Sequence, residues 1–270
     1  MAQAREAPAP FLALWTALVL LFLFAPLIVV VMFSFNTSEI STLPIRGLTL
    51  RWYERLFANE TFHAALSNSI IVAAATVILA TSLGVTAATG IHRYARRFRT
   101  TARSAAITPM MVPRLILSIA LLSFFNLVQA DLSLVTVIFG HVVIALPYVV
   151  LIVSARLVGF DASLEEAARD LGAGTFTVFR EITLPLLKPA ILASALISFT
   201  LSFDEVVVTF FTTGNENTLP MMIWSMLRFG ITPEINAIAT LTIIVSSALA
   251  LTAEIAIRKA QGVPQRAAGG

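Results

Sequence analysis

Six runs of apolar residues, each long enough to cross a bilayer, constrain this chain more than any other feature. A helix rises about 1.5 Å per residue and the hydrocarbon layer is about 30 Å thick, so a crossing takes about 20 apolar residues. Runs at about 11–33, 64–90, 104–128, 132–155, 186–212 and 235–257 meet that length. Composition agrees: 58% of the 270 residues are hydrophobic and 12% are charged, against about 25% charged in soluble domains. With no internal repeat, low-complexity tract or linker, the pattern predicts an all-α membrane protein of six transmembrane helices in a single domain, 1–270. The first run exceeds the 7–15 residues of a signal-peptide core and no small-residue cleavage site follows Phe33, so it reads as a retained signal anchor.

The basic residues set an orientation. One side of the expected topology carries Arg5, Arg93, Arg96, Arg97, Arg99, Arg103, Arg156, Arg169, Arg180, Lys188, Arg258, Lys259 and Arg266. The other carries Arg46, Arg51, Arg55 and Arg228. By the positive-inside rule the first side is cytoplasmic, and both termini with it. The net charge of +3 belongs to this topology signal rather than to nucleic-acid binding, because the arginines flank apolar spans. With no cysteine, a disulfide framework, thiolate metal sites and a Cys nucleophile are excluded.

Pro26, Pro109, Pro113, Pro147 and Pro189 lie in or at the ends of spans, where each removes an amide donor and tends to kink a helix. Lipid satisfies no freed carbonyl, so such sites face protein, water or a side-chain partner. On the outer side, Trp52, Tyr53, Phe57 and Phe62 within 34–63 suit a short interfacial helix, and Met221–Phe229 suits another helical turn or two. Gly84, Gly90 and the run Ala73-Ala74-Ala75 suggest close helix packing. His141 reads as a packed polar residue, and no metal site is expected.

The most informative segment is the cytoplasmic loop at about 156–185, between spans four and five. Ser163 with Glu166 three residues on is a capping-box pattern, and Asp161, Glu165 and Glu166 suit a helix N-terminus. Leu164, Ala167, Ala168 and Leu171 then give an apolar face, and Gly172 is a stop able to take positive φ. A second helix starts near Thr175 with Phe176, Phe179 and Ile182 on one stripe, and Pro185 interrupts before span five. The loop either packs under its own bundle or presents this face to a cytoplasmic partner.

Glu166-Ala167-Ala168, then Gly172, then Ile182-x-Leu184-Pro185 resembles the EAA loop of ABC importer permeases, at every fixed position and at both spacings. The resemblance implies a type I permease-like fold whose short loop helix is a coupling helix seated on an ATPase subunit. It places Glu166, Ala167, Ala168 and Gly172 in the coupling core, with Ile182, Leu184 and Pro185 anchoring the loop to span five. It also implies residence in a bacterial inner membrane, and partners: an ABC ATPase dimer holding ATP and Mg, a second related permease and an extracytoplasmic solute-binding protein. No cofactor, catalytic residue or nucleic-acid partner is implied for this chain. No G-x-x-x-x-G-K-[ST] loop is present, so ATP hydrolysis falls to another chain.

Further stretches resemble the spermidine/putrescine branch: Ser202-Phe203-Asp204-Glu205-Val206-Val207-Val208, Thr218-Leu219-Pro220, Phe229-Gly230-Ile231-Thr232-Pro233-Glu234-Ile235-Asn236-Ala237, and Leu50-Arg51-Trp52-Tyr53 with Asn68-Ser69. Asp204 and Glu205, in the outer half of span five, are candidates for a substrate pathway, since intramembrane carboxylates are costly unless paired or hydrated. Arg114 is a possible counter-charge that weakens the argument for a cationic solute. An importer of the same class for another small solute stays open, as does an ion-coupled secondary transporter, although that class usually carries an inverted repeat. An intramembrane enzyme would show an H-E-x-x-H or G-x-S-x-G pattern, and neither occurs.

Overall fold

The computed structural model describes residues 10–39, 44–95, 97–159, 163–228, 230 and 232–260. Of the residues singled out above, Arg5, Arg96, Asp161, Phe229, Ile231 and Arg266 lie outside the described residues. The described chain is almost wholly helical. Its α-helices are α1 (Pro10–Ser34), α2 (Arg51–Phe57), α3 (Glu60–Tyr94), α4 (Arg99–Ile107), α5 (Arg114–Leu127) and α6 (Leu134–Val158), then α7 (Ser163–Asp170), α8 (Thr175–Val178), α9 (Leu184–Phe203), α10 (Val207–Thr212), α11 (Leu219–Leu227) and α12 (Pro233–Ala260). A 3-10 turn, Thr108–Met111, follows α4, and a π turn, Phe179–Thr183, joins α8 to α9.

Among the described residues, four helices are long and apolar enough to cross a membrane: Phe11–Ser34, Glu60–Tyr94, Leu134–Val158 and Thr175–Phe203. The expected third span is not straight. Arg99–Met111 and Arg114–Leu127 meet at a bend of 99° and make a fifth crossing only if taken together. Pro109 sits in the first turn of the 3-10 segment and Pro113 immediately precedes α5, so two missing amide donors fall at one corner. The expected fifth span is likewise divided, because α9 ends at Phe203 and α10 starts at Val207. The expected sixth span, 235–257, lies within the single helix α12.

Pro26, Pro147 and Pro189 lie inside unbroken helices. Pro185 does not interrupt the chain as expected, since one helix runs from Thr175 to Phe203. The π turn explains this. Its i→i+5 bonding widens the turn just before Pro185, where the proline ring would otherwise press on the carbonyl of Glu181. Val178, Thr183 and Leu187 are buried, while Phe176 on the expected stripe is 74% exposed.

The chain falls into two compact units, Met1–Glu60 with Ser225–Val245, and Thr61–Trp224 with Ser246–Gly270. In the first unit, α1 is exposed along nearly its whole length, as suits a helix solvated by lipid. An isolated antiparallel bridge pairs Asn36 with Leu48. Trp52 of α2 is buried rather than lying open at an interface, and its Nε1 donates to the Asn36 carbonyl at 2.7 Å. The Arg51 and Arg55 guanidinium groups lie over its ring, 4.5 and 5.3 Å from the centroid.

In the second unit the core is an apolar seam of Ala80, Val85 and Ala88 from α3, Val142, Ala145, Val149, Val153 and Leu157 from α6, and Leu187 from α9. Between helices in lipid, close packing replaces water exclusion as the main attraction, so small residues matter. A Cβ on Gly84 would lie 2.5 Å from Val149 Cγ1, and one on Gly140 would lie 2.6 Å from Val208 Cγ1. Gly90, expected to share that role, would meet nothing within 4 Å. On α9, Ala190, Ser194, Ser198 and Ser202 are all buried at four-residue intervals, a ladder of small side chains.

Candidate functional site

The candidates of the 156–185 loop lie on α7, the turn after it, the π turn and the start of α9. Helix α7 has outward-facing Glu166 and Ala167, while Ala168 is half-buried. It ends as expected at Gly172, whose φ is +85°. The amide of Gly172 donates to the Arg169 carbonyl at 2.9 Å and that of Ala173 to the Ala168 carbonyl at 3.0 Å. That pair of bonds is the Schellman stop, which satisfies carbonyls a helix end leaves open. Leu171, 90% exposed, and Phe176 stand out beside it as apolar groups without cover in this chain. Ile182 is half-buried in the π turn, and Leu184 and Pro185 are exposed at the start of α9.

Beneath α7 lies a residue that the motif does not mark. Glu165 is the buried residue of α7. Its Oε1 accepts from Arg93 Nη2, at the end of α3, and from Thr183 Oγ1 at 2.6 Å. Its Oε2 accepts from Arg169 Nη2 at 3.0 Å. Arg93 Nη2 also donates to Thr183 Oγ1 at 2.8 Å, closing a triangle among three elements. Burial pushes the Glu165 carboxyl up, but the bonds from Thr183 and Arg93, the Arg93 charge and the Arg169 bond outweigh it, and the group is held below its ordinary range. The available signal was Glu165 and Arg169 at (i, i+4), a pairing distance on a helix. The partnership with Arg93, 72 positions away, left no local trace.

The intramembrane candidates part company. Asp204, at the end of α9, is exposed, whereas Glu205 is buried. Glu205 Oε2 accepts from Arg114 Nη1 at 2.5 Å, so the suspected counter-charge is the actual one. Glu205 Oε1 accepts from the amides of Val207 and Val208 at 3.0 and 3.1 Å and thereby starts α10. The pair joins the bend before α5 to the break before α10. The length of α9, about 28 Å at 1.5 Å per residue, separates these carboxylates from Leu184 and Pro185. His141 is packed as expected, with Nδ1 2.8 Å from Ser202 Oγ and Nε2 2.9 Å from Thr209 Oγ1. Asn68-Ser69 and Thr218-Leu219 meet: Asn68 Nδ2 donates to the Asn217 carbonyl at 2.9 Å, and the Leu219 amide to Ser69 Oγ at 2.7 Å.

Residues 80–259 match the family described as binding-protein-dependent transport system inner membrane component. The chain belongs to that family. The match takes in the seam, α7 and both carboxylates. Among the permease's relatives is the spermidine/putrescine transport system permease protein PotC of Haemophilus influenzae, 38% identical over 239 residues, covering 88% of this chain and 93% of that protein. The putrescine transport system permease protein PotI of Escherichia coli strain K12 is also 38% identical over 239 residues, covering 84% of this chain and 85% of that protein. A chain of a bacterial ABC transporter involved in the import of the acidic polysaccharide alginate has the same fold, with a TM-score of 0.73 at 14% identity, covering 92% of this permease and 94% of that chain.

Proposed function

We propose that this permease is one membrane subunit of an ATP-driven, binding-protein-dependent importer of polyamines, of the spermidine/putrescine kind. The observation that carries the reading is the 38% identity to polyamine permeases across 88% of the chain. The exposed face of α7 supports it. Leu171, Glu166 and Ala167 lie outside the apolar spans and suit a groove on an ABC ATPase. ATP and Mg belong to a dimer of that ATPase. A second, related permease completes the pore, and an extracytoplasmic protein delivers the solute. The six-span, single-domain organisation follows from the same kinship, with both termini cytoplasmic in an inner membrane. Asp204 and Glu205 belong to the solute pathway, since irregular backbone and an exposed carboxylate within a span are tolerated only beside water or protein.

The Arg114–Glu205 pair favours one second reading, an importer of the same class for a different small solute. With Glu205 neutralised, Asp204 alone attracts a cation. Reconstitution with the ATPase, the second permease and the binding protein separates the readings. Spermidine and putrescine should stimulate ATP hydrolysis and accumulate inside ATP-loaded vesicles. Stimulation by other amines or small anions alone moves the assignment to the second reading. Uptake by this chain without an ATPase overturns both.

A further inference from the structure

The triangle of Arg93, Glu165 and Thr183 has no part in the motif that marks α7, yet it ties α7 to α3 and to the π turn. An eight-residue helix does not persist in water on its own propensity. Leu164, Glu166, Ala167 and Arg169 are exposed and Ala168 is half-buried. The buried contact of α7 is a carboxylate with both oxygens engaged, held by two guanidinium groups and a hydroxyl. Arg93 belongs to the last turn of α3 and Thr183 to the π turn that runs directly into α9. Thr183 is completely buried, and its hydroxyl both accepts from Arg93 and donates to Glu165. An apolar contact lets one helix slide on another. A charge-assisted bond between named atoms is directional and resists sliding.

We infer that Glu165 is a positioning residue that clamps the loop helix α7 to α3 and α9 at once, so that a displacement of α7 is delivered to two spans together. The inference rests on the reading that α7 meets an ATPase. In that setting the outward face of α7 receives the partner, while Glu165, on the inward face, passes the movement on. Removing the clamp leaves the docking face intact and lets α7 tilt without carrying the spans. ATP hydrolysis then continues with little solute moved.

The test uses the complete reconstituted transporter and reads solute imported per ATP hydrolysed. Glu165→Gln and Arg93→Ala should each lower that ratio about tenfold, within the ordinary span of intersite coupling, with unchanged recovery of the ATPase on purification. The exchanged pair Arg93→Glu with Glu165→Arg should regain part of the ratio, which a loss of bulk stability would not do. Glu181→Gln, at an exposed position, should match the unaltered protein. If Glu165→Gln lowers the yield of complex, the ratio is read on Thr183→Val, which keeps the volume, loses the hydroxyl and should lower it in the same direction. Unaltered coupling in these variants, or an exchanged pair no better than its single changes, overturns the inference while leaving the ATPase partnership standing. Failure of the unaltered permease to retain an ATPase would instead overturn the reading beneath it.

Discussion

Gly172 sits at φ +85°, where a β-branched side chain meets the neighbouring carbonyl. A Cβ there would touch nothing within 4 Å, so the demand on this position comes from the backbone and not from space. Gly172→Val should cost about 1–2 kcal/mol at that residue and unwind the Schellman stop, leaving the protein inserted but unable to drive uptake with ATP. Full uptake by this variant, measured beside its membrane content, would count against a rigid α7. Glu165 has a pH signature. Its folded-state pKa is depressed, so its contribution is present above the unfolded Glu value of about 4.3 and is lost as pH falls through the lower folded value. Amide exchange in α7 should therefore stay protected from pH 7 to 5 and rise only in stronger acid. A rise between pH 7 and 6 would assign the protection to another group. Gly172 was legible in the sequence because a helix stop is a local event. Glu165 was not, because the adjacent Glu166 has the same chemistry and only the fold decides which of the two turns inward.

Spans three and five show why an apolar run does not report its own shape. Hydropathy sees 104–128 and 186–212 as continuous, but the backbone needs a donor for every carbonyl, and that demand places the breaks. Pro109 and Pro113 remove two donors at one corner. Three residues after Ser202 the chain has Glu205, whose carboxylate replaces the missing turn by accepting the Val207 and Val208 amides. Arg114 joins the two breaks. Its loss would leave a buried carboxylate without its cation, a defect of about 3–5 kcal/mol for a fully buried pair and less here, because the Arg114 side chain is 36% exposed. Arg114→Ala should thus lower the Tm of the purified permease, whereas Arg114→Met with Glu205→Gln should recover most of the loss, since Gln still accepts the two amides. A double change as unstable as the single one would show that the charge itself is required. The ladder Ala190-Ser194-Ser198-Ser202 is legible as small residues at helical spacing, whereas a glycine alone is a poor guide to close packing, since a Cβ on Gly90 would meet nothing within 4 Å.

At the scale of the whole molecule, α7 and the carboxylates of Asp204 and Glu205 serve one importer as proposed only if they lie at different levels of one membrane. Apolar length predicts the crossings but has no sign. Direction rests on the distribution of Lys and Arg, which is about threefold richer on the side of Arg93, Arg156 and Arg180. The chain has no cysteine, so a single introduced thiol reports its own side of the membrane without background. Leu171, 90% exposed just before Gly172, and Asn215, exposed in the loop between α10 and α11, belong to opposite sides in the proposed orientation. Leu171→Cys should react with a membrane-impermeant maleimide only in inside-out vesicles, and Asn215→Cys only in intact spheroplasts. Labelling of both from one side would mean that the helices between them do not add up to an odd number of crossings. The bend before α5 lies outside that interval, so such a result would place the fault in the divided span five. Labelling with the two sides exchanged would put α7 beyond the reach of ATP, and no arrangement of partners could then make it the point at which hydrolysis enters.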